Sequence, residues 1–294
     1  MVQSTFEFLR CPKCHANLSF ERTGTFLECD GTTPHRFPVT EGIPSFVSRD
    51  EVAPKDAKVV FEYDEMAEKY DEGVKMYDSW LGVSLEGEYR NLVAELVPIS
   101  SSQRILDVST GTGAMIFRMR EAYPTAVSHF VGTDLSFGML KVARRKFVDA
   151  GIEVPLFHTK VNELPFADEA FDAITCAGGI NTFEDIPGSI REWVRTLRPN
   201  GTLLIVDEGL SPSARKTQRG LEIVSANKLF GLWPPLEHMP PLVKNIALKW
   251  VARDTFYALK CQKFSDEELK AIRTDGTEEA QIRKMVEDML AKWR

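Results

Sequence analysis

"LDVSTGTGAM", residues 106–115, decides how the rest of the chain is read. A short β-like run ends near Val108, Gly111 and Gly113 follow at once, and the residues after them are helical in character. Glycines let a backbone turn left-handed and pass close to a ligand. A dinucleotide-binding loop needs a third glycine where this chain has Ile116, and a phosphate-cradling loop needs Gly-Lys-Ser/Thr, which is missing. The turn therefore suits a ligand that needs close backbone approach but carries no diphosphate.

Outward from this turn the pattern alternates. "RILDVST", "HFVGTDL", "VPLFHTKV", "AFDAITCAG" and "TLLIVDE" read as strands, with helical "AMIFRMREAY", "FGMLKVARRKFVDAG" and "SIREWVRTLRPNG" among them. In the last helix Ile190, Trp193, Val194 and Leu197 fall on one face. "TLLIVDE" is almost continuously apolar, as in a parallel strand covered on both sides. Strands alternating with helices predict an open, doubly wound α/β domain. Before it, residues 61–97 read as helices behind a linker at 49–60. After Glu208 the alternation stops. Residues 209–242 read as an inserted cap, followed by two strands turning near Arg253-Asp254. The tail 265–294 opens on Ser265 and Glu268, a capping-box pattern that predicts a charged helix.

The strand ends suggest the ligand. Asp134, closing the second strand, can accept both hydrogen bonds from a ribose diol. Asp107, closing the first, can orient the glycine loop or meet an ammonium. A nucleoside that carries an amino acid instead of a diphosphate is S-adenosylmethionine.

"LDVSTGTG", "VGTDLSFGMLKVAR", "ELPFADEAFDAI" and "REWVRTLRPNGTLLIVDE", in that order, resemble class I S-adenosylmethionine-dependent methyltransferases. The branch they most resemble includes ubiquinone- and menaquinone-biosynthesis C-methyltransferases. The resemblance covers about residues 61–262 and implies a Rossmann-like seven-stranded sheet, with the methyltransferase domain at 61–264. It implies that Ser109, Gly111 and Gly113 line the methionine part and Asp134 the ribose. Leu135 and Met139 would pack beside the adenine, and Val161 would offer it backbone. Cys176 and Ala177 would face the sulfonium. "YDEMAEKYDE", with Tyr63 and Tyr70, resembles the helix that closes over the cofactor in that branch. Lys160 stands where relatives carry an adenine-binding aspartate; an ammonium cannot accept that hydrogen bond, which leaves Asn162, backbone or water to do so.

Near the N-terminus, Cys11-Pro12-Lys13-Cys14-His15 admits three readings: haem attachment, a redox pair, or half of a zinc site. Cys29 and His35 downstream favour a tetrahedral Cys₃His zinc site from Cys11, Cys14, Cys29 and His35, with His15 a bystander. A module of residues 1–48 can hardly bury enough apolar surface alone, so a metal staple is physically sensible. "LRCPKCHANL…ECDG…HRFPVTEGIPSF" resembles zinc-ribbon modules fused to class I methyltransferases, one of them an rRNA guanine methyltransferase.

Composition narrows the acceptor. Hydrophobic residues make up 43% and the net charge is −7, a poor footprint for nucleic-acid backbone. Residues 1–50 hold five Lys/Arg against six Asp/Glu; "SARKTQR", residues 213–219, is the one basic stretch near the expected mouth. No leader-like or membrane-spanning run is evident, so a cytoplasmic location is expected. A small, largely apolar methyl acceptor is preferred. An RNA base presented by the zinc ribbon is the alternative, and a partner-docking role with a weakened cofactor site is a third reading. His238 in the cap and Glu208 at the fifth strand's end are the candidate general bases.

Overall fold

The computed structural model describes residues 7–97, 102–124 and 129–274. The N-terminal module is a four-stranded antiparallel sheet: β1 (Leu18–Phe20), β2 (Phe26–Cys29), β3 (Arg36–Thr40) and β4 (Ile43–Pro44). Three helices follow: α1 (Pro54–Met66), α2 (Tyr70–Leu81) and α3 (Leu85–Leu96). The stretch 49–60, expected to be linker, instead holds a 3-10 turn and the first half of α1, which begins on Pro54. Proline suits that position because the first helical N–H has no partner inside the helix.

The large domain is built from β5 (Arg104–Val108), α4 (Ala114–Ala122), β6 (His129–Asp134), α5 (Phe137–Asp149), β7 (Leu156–His158) and β8 (Phe171–Ala177). It continues through α6 (Ile186–Thr196), β9 (Leu197–Glu208), α7 (Gln218–Ala226), β10 (Val243–Val251), β11 (Phe256–Lys263) and α8 (Asp266–Thr274). The seven strands lie in the order β10-β11-β9-β8-β5-β6-β7. β5 pairs in parallel with both β6 and β8, β8 with β9, and β11 runs antiparallel to β9. Strand order reverses at β5 and β8, which opens a crevice at their carboxyl ends.

The apolar run of β9 behaves as its sequence predicts. Leu203 and Ile205 enter the core cluster on one face, Leu204 and Val206 the cluster on the other. At the chain's far end Ser265 and Glu268 form a reciprocal capping box, Ser265 N–H to Glu268 Oε2 at 2.8 Å and Glu268 N–H to Ser265 Oγ at 3.2 Å. The tail beyond Thr274 lies outside the described residues. Among those residues no helix is long and apolar enough to cross a membrane.

The module does not stand apart from the domain. Ser45 bridges to His158 at the edge of β7, and Leu9 bridges to Phe166. Phe8, Phe166 and Phe171 pack ring against ring on one side, and Phe37, Phe46 and Phe157 on the other, all within one core.

Candidate active site and metal centre

A cleft of about 540 Å³ opens over the carboxyl ends of β5, β6, β8 and β9, a size common for small-molecule sites. Its floor is the glycine turn. Gly111 lines it with φ +53°, and no atom lies within 4 Å of where a Cβ would stand, so backbone faces open space there. Ser109, also in the lining, holds a left-handed φ of 53°. Gly113 serves another purpose. It has φ +87°, does not line the cleft, and a Cβ on it would come 2.5 Å from Phe147 Cζ. The expectation that it touches a ligand is corrected: it lets α4 start against α5.

Two carboxylates anchor this turn. Asp107 accepts from Thr110 Oγ1 at 2.7 Å and Thr175 Oγ1 at 2.6 Å. Asp134 accepts from Gly111 N at 2.8 Å and Ser136 N at 2.8 Å, so it fixes the loop whose ligand it would share. Burial pushes the Asp107 carboxyl up to about 7 and that of Asp134 up to about 6, although hydroxyl and N–H donors oppose the shift. Leu135 and Met139 line the wall beside Asp134.

The far end differs from the resemblance. Lys160 lines the cleft, but its Nζ donates to Glu163 Oε1 at 2.6 Å and to the Glu51 carbonyl at 3.4 Å. Asn162 also lines it and donates to Asp185 Oδ2 at 3.5 Å. Val161 lines the cleft while its carbonyl accepts from Trp193 Nε1 at 3.0 Å. Asp185, which sequence reasoning did not single out, brings a carboxylate to this end; Asp-Ile-Pro-Gly reads only as a helix start, and Asp185 does cap α6 through Gly188 N at 2.8 Å.

At the end of β8, Ala177 lines the cleft together with Gly178 and Gly179. Cys176 does not. It is fully buried in the core, the alternation of the strand having turned its side chain away from that of Ala177. Glu208 lines the cleft at the tip of β9, and Asn227 and Leu229 of the cap line it too. His238 is also corrected: it sits in a 3-10 turn that packs toward α6, beside Glu237, and does not reach the cleft.

The helices before the domain roof the site. Val59, Val60, Tyr63 and Met66 of α1, and Tyr70, Val74 and Tyr77 of α2, line it from above, with the Tyr63 and Tyr70 rings 5.9 Å apart. Burial raises both tyrosine hydroxyls well above their ordinary value. Polar latches hold the roof down. Asp64 Oδ1 accepts from Ser136 Oγ at 2.5 Å and Gly138 N at 2.8 Å, and Asp71 accepts from Thr112 Oγ1 at 2.6 Å and Lys146 Nζ at 2.7 Å. Lys55 Nζ donates to the Phe183 carbonyl at 2.8 Å.

The charged groups lining the cleft are Asp56, Asp107, Asp134, Asp185 and Glu208 against Lys69 and Lys160, an excess of acid that suits a cationic ligand. Left-handed backbone at Ser109 and Gly111, the diol-ready Asp134 and this acidity together fit a sulfonium-bearing nucleoside.

In the N-terminal module the ligating atoms of Cys11, Cys14, Cys29 and His35 all lie within 4.8 Å of one another. Cys14 Sγ and Cys29 Sγ are 3.6 Å apart, and His35 Nδ1 lies 3.5 Å from Cys11 Sγ and 3.6 Å from Cys29 Sγ. Two sulfurs on one tetrahedral zinc stand roughly 3.8 Å apart, and a sulfur and an imidazole nitrogen roughly 3.5 Å. Burial raises the Cys11 thiol to about 11, whereas at Cys29 donors led by the His35 and Gly31 N–H groups outweigh burial and hold it at about 6. Gly31 leaves room: a Cβ there would sit 3.1 Å from Cys14 Sγ. His15 is exposed and outside the cluster.

Fold and cleft define a class, and sequence comparison agrees. Residues 106–205 match the methyltransferase domain family. It is 34% identical over 145 residues to the demethylmenaquinone methyltransferase of Thermus thermophilus, covering 49% of this chain and 63% of the relative. The corresponding enzyme of Renibacterium salmoninarum is 30% identical over 161 residues, covering 55% and 63%. The match thus spans less than two thirds of either relative. Among solved structures, Haemonchus contortus phosphoethanolamine N-methyltransferase 2 in complex with S-adenosyl-L-methionine shares the fold, with TM-score 0.51 and 17% identity over 79% of this chain and 63% of that one.

Proposed function

We propose that this protein is an enzyme that moves the methyl group of S-adenosylmethionine to a carbon or oxygen of a small, largely apolar molecule. The observation that carries this reading is the roofed cleft itself. Val59, Val74, Tyr77, Leu85, Leu229 and Phe256 give it apolar walls, and α1 and α2 close it from above. The quinone substrates named for the curated relatives are of that chemical class. Bound S-adenosylmethionine supplies an electrophilic methyl on a sulfonium. The chain's own part is to hold and orient: Asp134 takes the ribose hydroxyls, Asp107 and the Ser109–Gly111 turn the amino-acid portion. The apolar walls keep water from competing and hold the acceptor in line with the transferable methyl. Glu208, half-buried in the cleft lining, takes the proton the acceptor loses.

The Cys11, Cys14, Cys29 and His35 cluster holds Zn²⁺ in this reading, on the strength of its donor set and spacings. All four protein positions are filled, which suits a structural ion.

Labelled methyl from S-adenosylmethionine, offered to a small-molecule extract and to total RNA side by side, tests the acceptor class. Label is expected in the organic-soluble small molecules and lost with Glu208→Gln. Label confined to RNA would overturn the reading in favour of a base presented by the ribbon.

A further inference from the structure

The basic stretch 213–219 has no part in the cleft's chemistry, and its surroundings give it another. From Ser213 to Trp233 the chain carries Arg215, Lys216, Arg219 and Lys228 against the single acid Glu222, within a protein of net charge −7. The same segment exposes large apolar side chains: Leu221 is 59% exposed, Trp233 52%, and Leu232 is exposed beside it. Next to it on α2, Met76 is 73% exposed, and Trp80 one turn further on is also exposed.

The cations are fitted to the aromatics. The Arg215 guanidinium lies 3.7 Å over the Trp233 ring and donates to the carbonyls of Leu210, Gly231 and Leu232. Arg219 lies 5.0 Å over the Trp80 ring and donates to the Trp80 carbonyl at 2.6 Å, tying α7 to α2. Exposed indoles and leucines among Arg and Lys are costly in water and favourable at a lipid headgroup layer, where the rings sink and the cations meet phosphate.

We propose that this face, Ser213–Trp233 with Met76 and Trp80, docks on the surface of an anionic lipid bilayer. Charge selects that occupant: a local excess of cations on an acidic protein complements an anionic surface. The geometry adds a use. Asn227 and Leu229 of the same segment line the cleft, and Tyr77, stacked 5.7 Å from Trp80, lines it too. Docking therefore sets the cleft wall at the lipid, where an apolar acceptor would be drawn from; that last step rests on the proposed methyl transfer.

Sedimentation of the full chain with vesicles, in the absence of cofactor and acceptor, tests the docking by itself. The protein is expected to sediment with phosphatidylcholine vesicles containing phosphatidylglycerol, not with phosphatidylcholine alone, and to be released by salt. Lys216→Ser and Lys228→Ser should each weaken binding about fivefold. Leu221→Ser with Trp233→Ser should abolish it while circular dichroism and S-adenosylmethionine binding stay unchanged. Folded wild type that ignores anionic vesicles, or a Lys216→Ser/Lys228→Ser protein that binds as wild type does, would overturn the proposal. So would a concentration-dependent dimer dissolved by Leu221→Ser/Trp233→Ser, which would assign the face to a second copy. Vesicle binding and methyl transfer are read separately, so failure of one is distinguishable from failure of the other.

Discussion

Asp107 and Asp134 are buried carboxylates that anchor the glycine turn and, in the proposed function, receive the cofactor. Each is held by donors from the glycine turn or its flanks, and each is pushed up by burial, to about 7 and about 6. In the free folded protein these groups keep protons that the unfolded chain has released. Their contribution to stability is therefore present at low pH and lost as pH rises from about 4 to about 7. Cofactor binding runs the other way, because a cationic ligand needs both groups ionised. The affinity for S-adenosylmethionine is expected to rise through about pH 6 to 7 and then level off. In a titration series Asp107→Asn should remove the upper part of that rise and weaken binding by about tenfold. Both aspartates were legible because each ends a strand beside the turn. Asp185 was not, since a helix-capping aspartate looks the same whether or not a cleft lies behind it.

At the scale of elements, α1 is the informative one. It buries none of its residues completely, yet it covers the cleft. Its attachment is largely polar, and elements held that way open at low free-energy cost. Gly138 permits the closest latch: a Cβ there would come 2.8 Å from Asp64 Oδ1. Asp64→Ala is expected to speed hydrogen exchange across α1 while β5 and β9 remain protected, and bound S-adenosylmethionine should restore protection in the wild type more than in the variant. Equal exchange in the two would contradict a latched roof. From sequence the strands β5, β8 and β9 were readable by their apolar runs. The latches were not, because Asp64 and Asp71 resemble the solvated charges of any exposed helix, and their partners lie more than 40 positions away.

Across the whole molecule, the Cys₃His cluster and the domain share one core. Ser45 Oγ and His158 Nδ1 are 2.7 Å apart, and His158 Nε2 lies 3.0 Å from the Leu135 carbonyl, next to Asp134. The module thus braces the edge of the sheet one residue from the cleft. Residue type and the zinc-ribbon resemblance drew Cys11, Cys14, Cys29 and His35 together, but nothing in the sequence foretold the packing of Phe46 on Phe157 or Phe8 on Phe166, which depends on the third dimension. Metal analysis is expected to give about one zinc per chain, lost in Cys29→Ser, with the unfolding midpoint of the whole protein lowered by roughly 5–10 °C. A midpoint unchanged by loss of the metal would mean the ion does not staple the module.

The central claim is that the turn at Ser109–Gly111 and the carboxylate of Asp134 hold S-adenosylmethionine. Isothermal titration of S-adenosylmethionine into wild type and into Asp134→Ala tests it most directly. Saturable one-to-one binding, weakened about ten- to a hundredfold by the substitution, is the predicted result. Equal affinity in the two proteins, or no binding to the folded wild type, would contradict it.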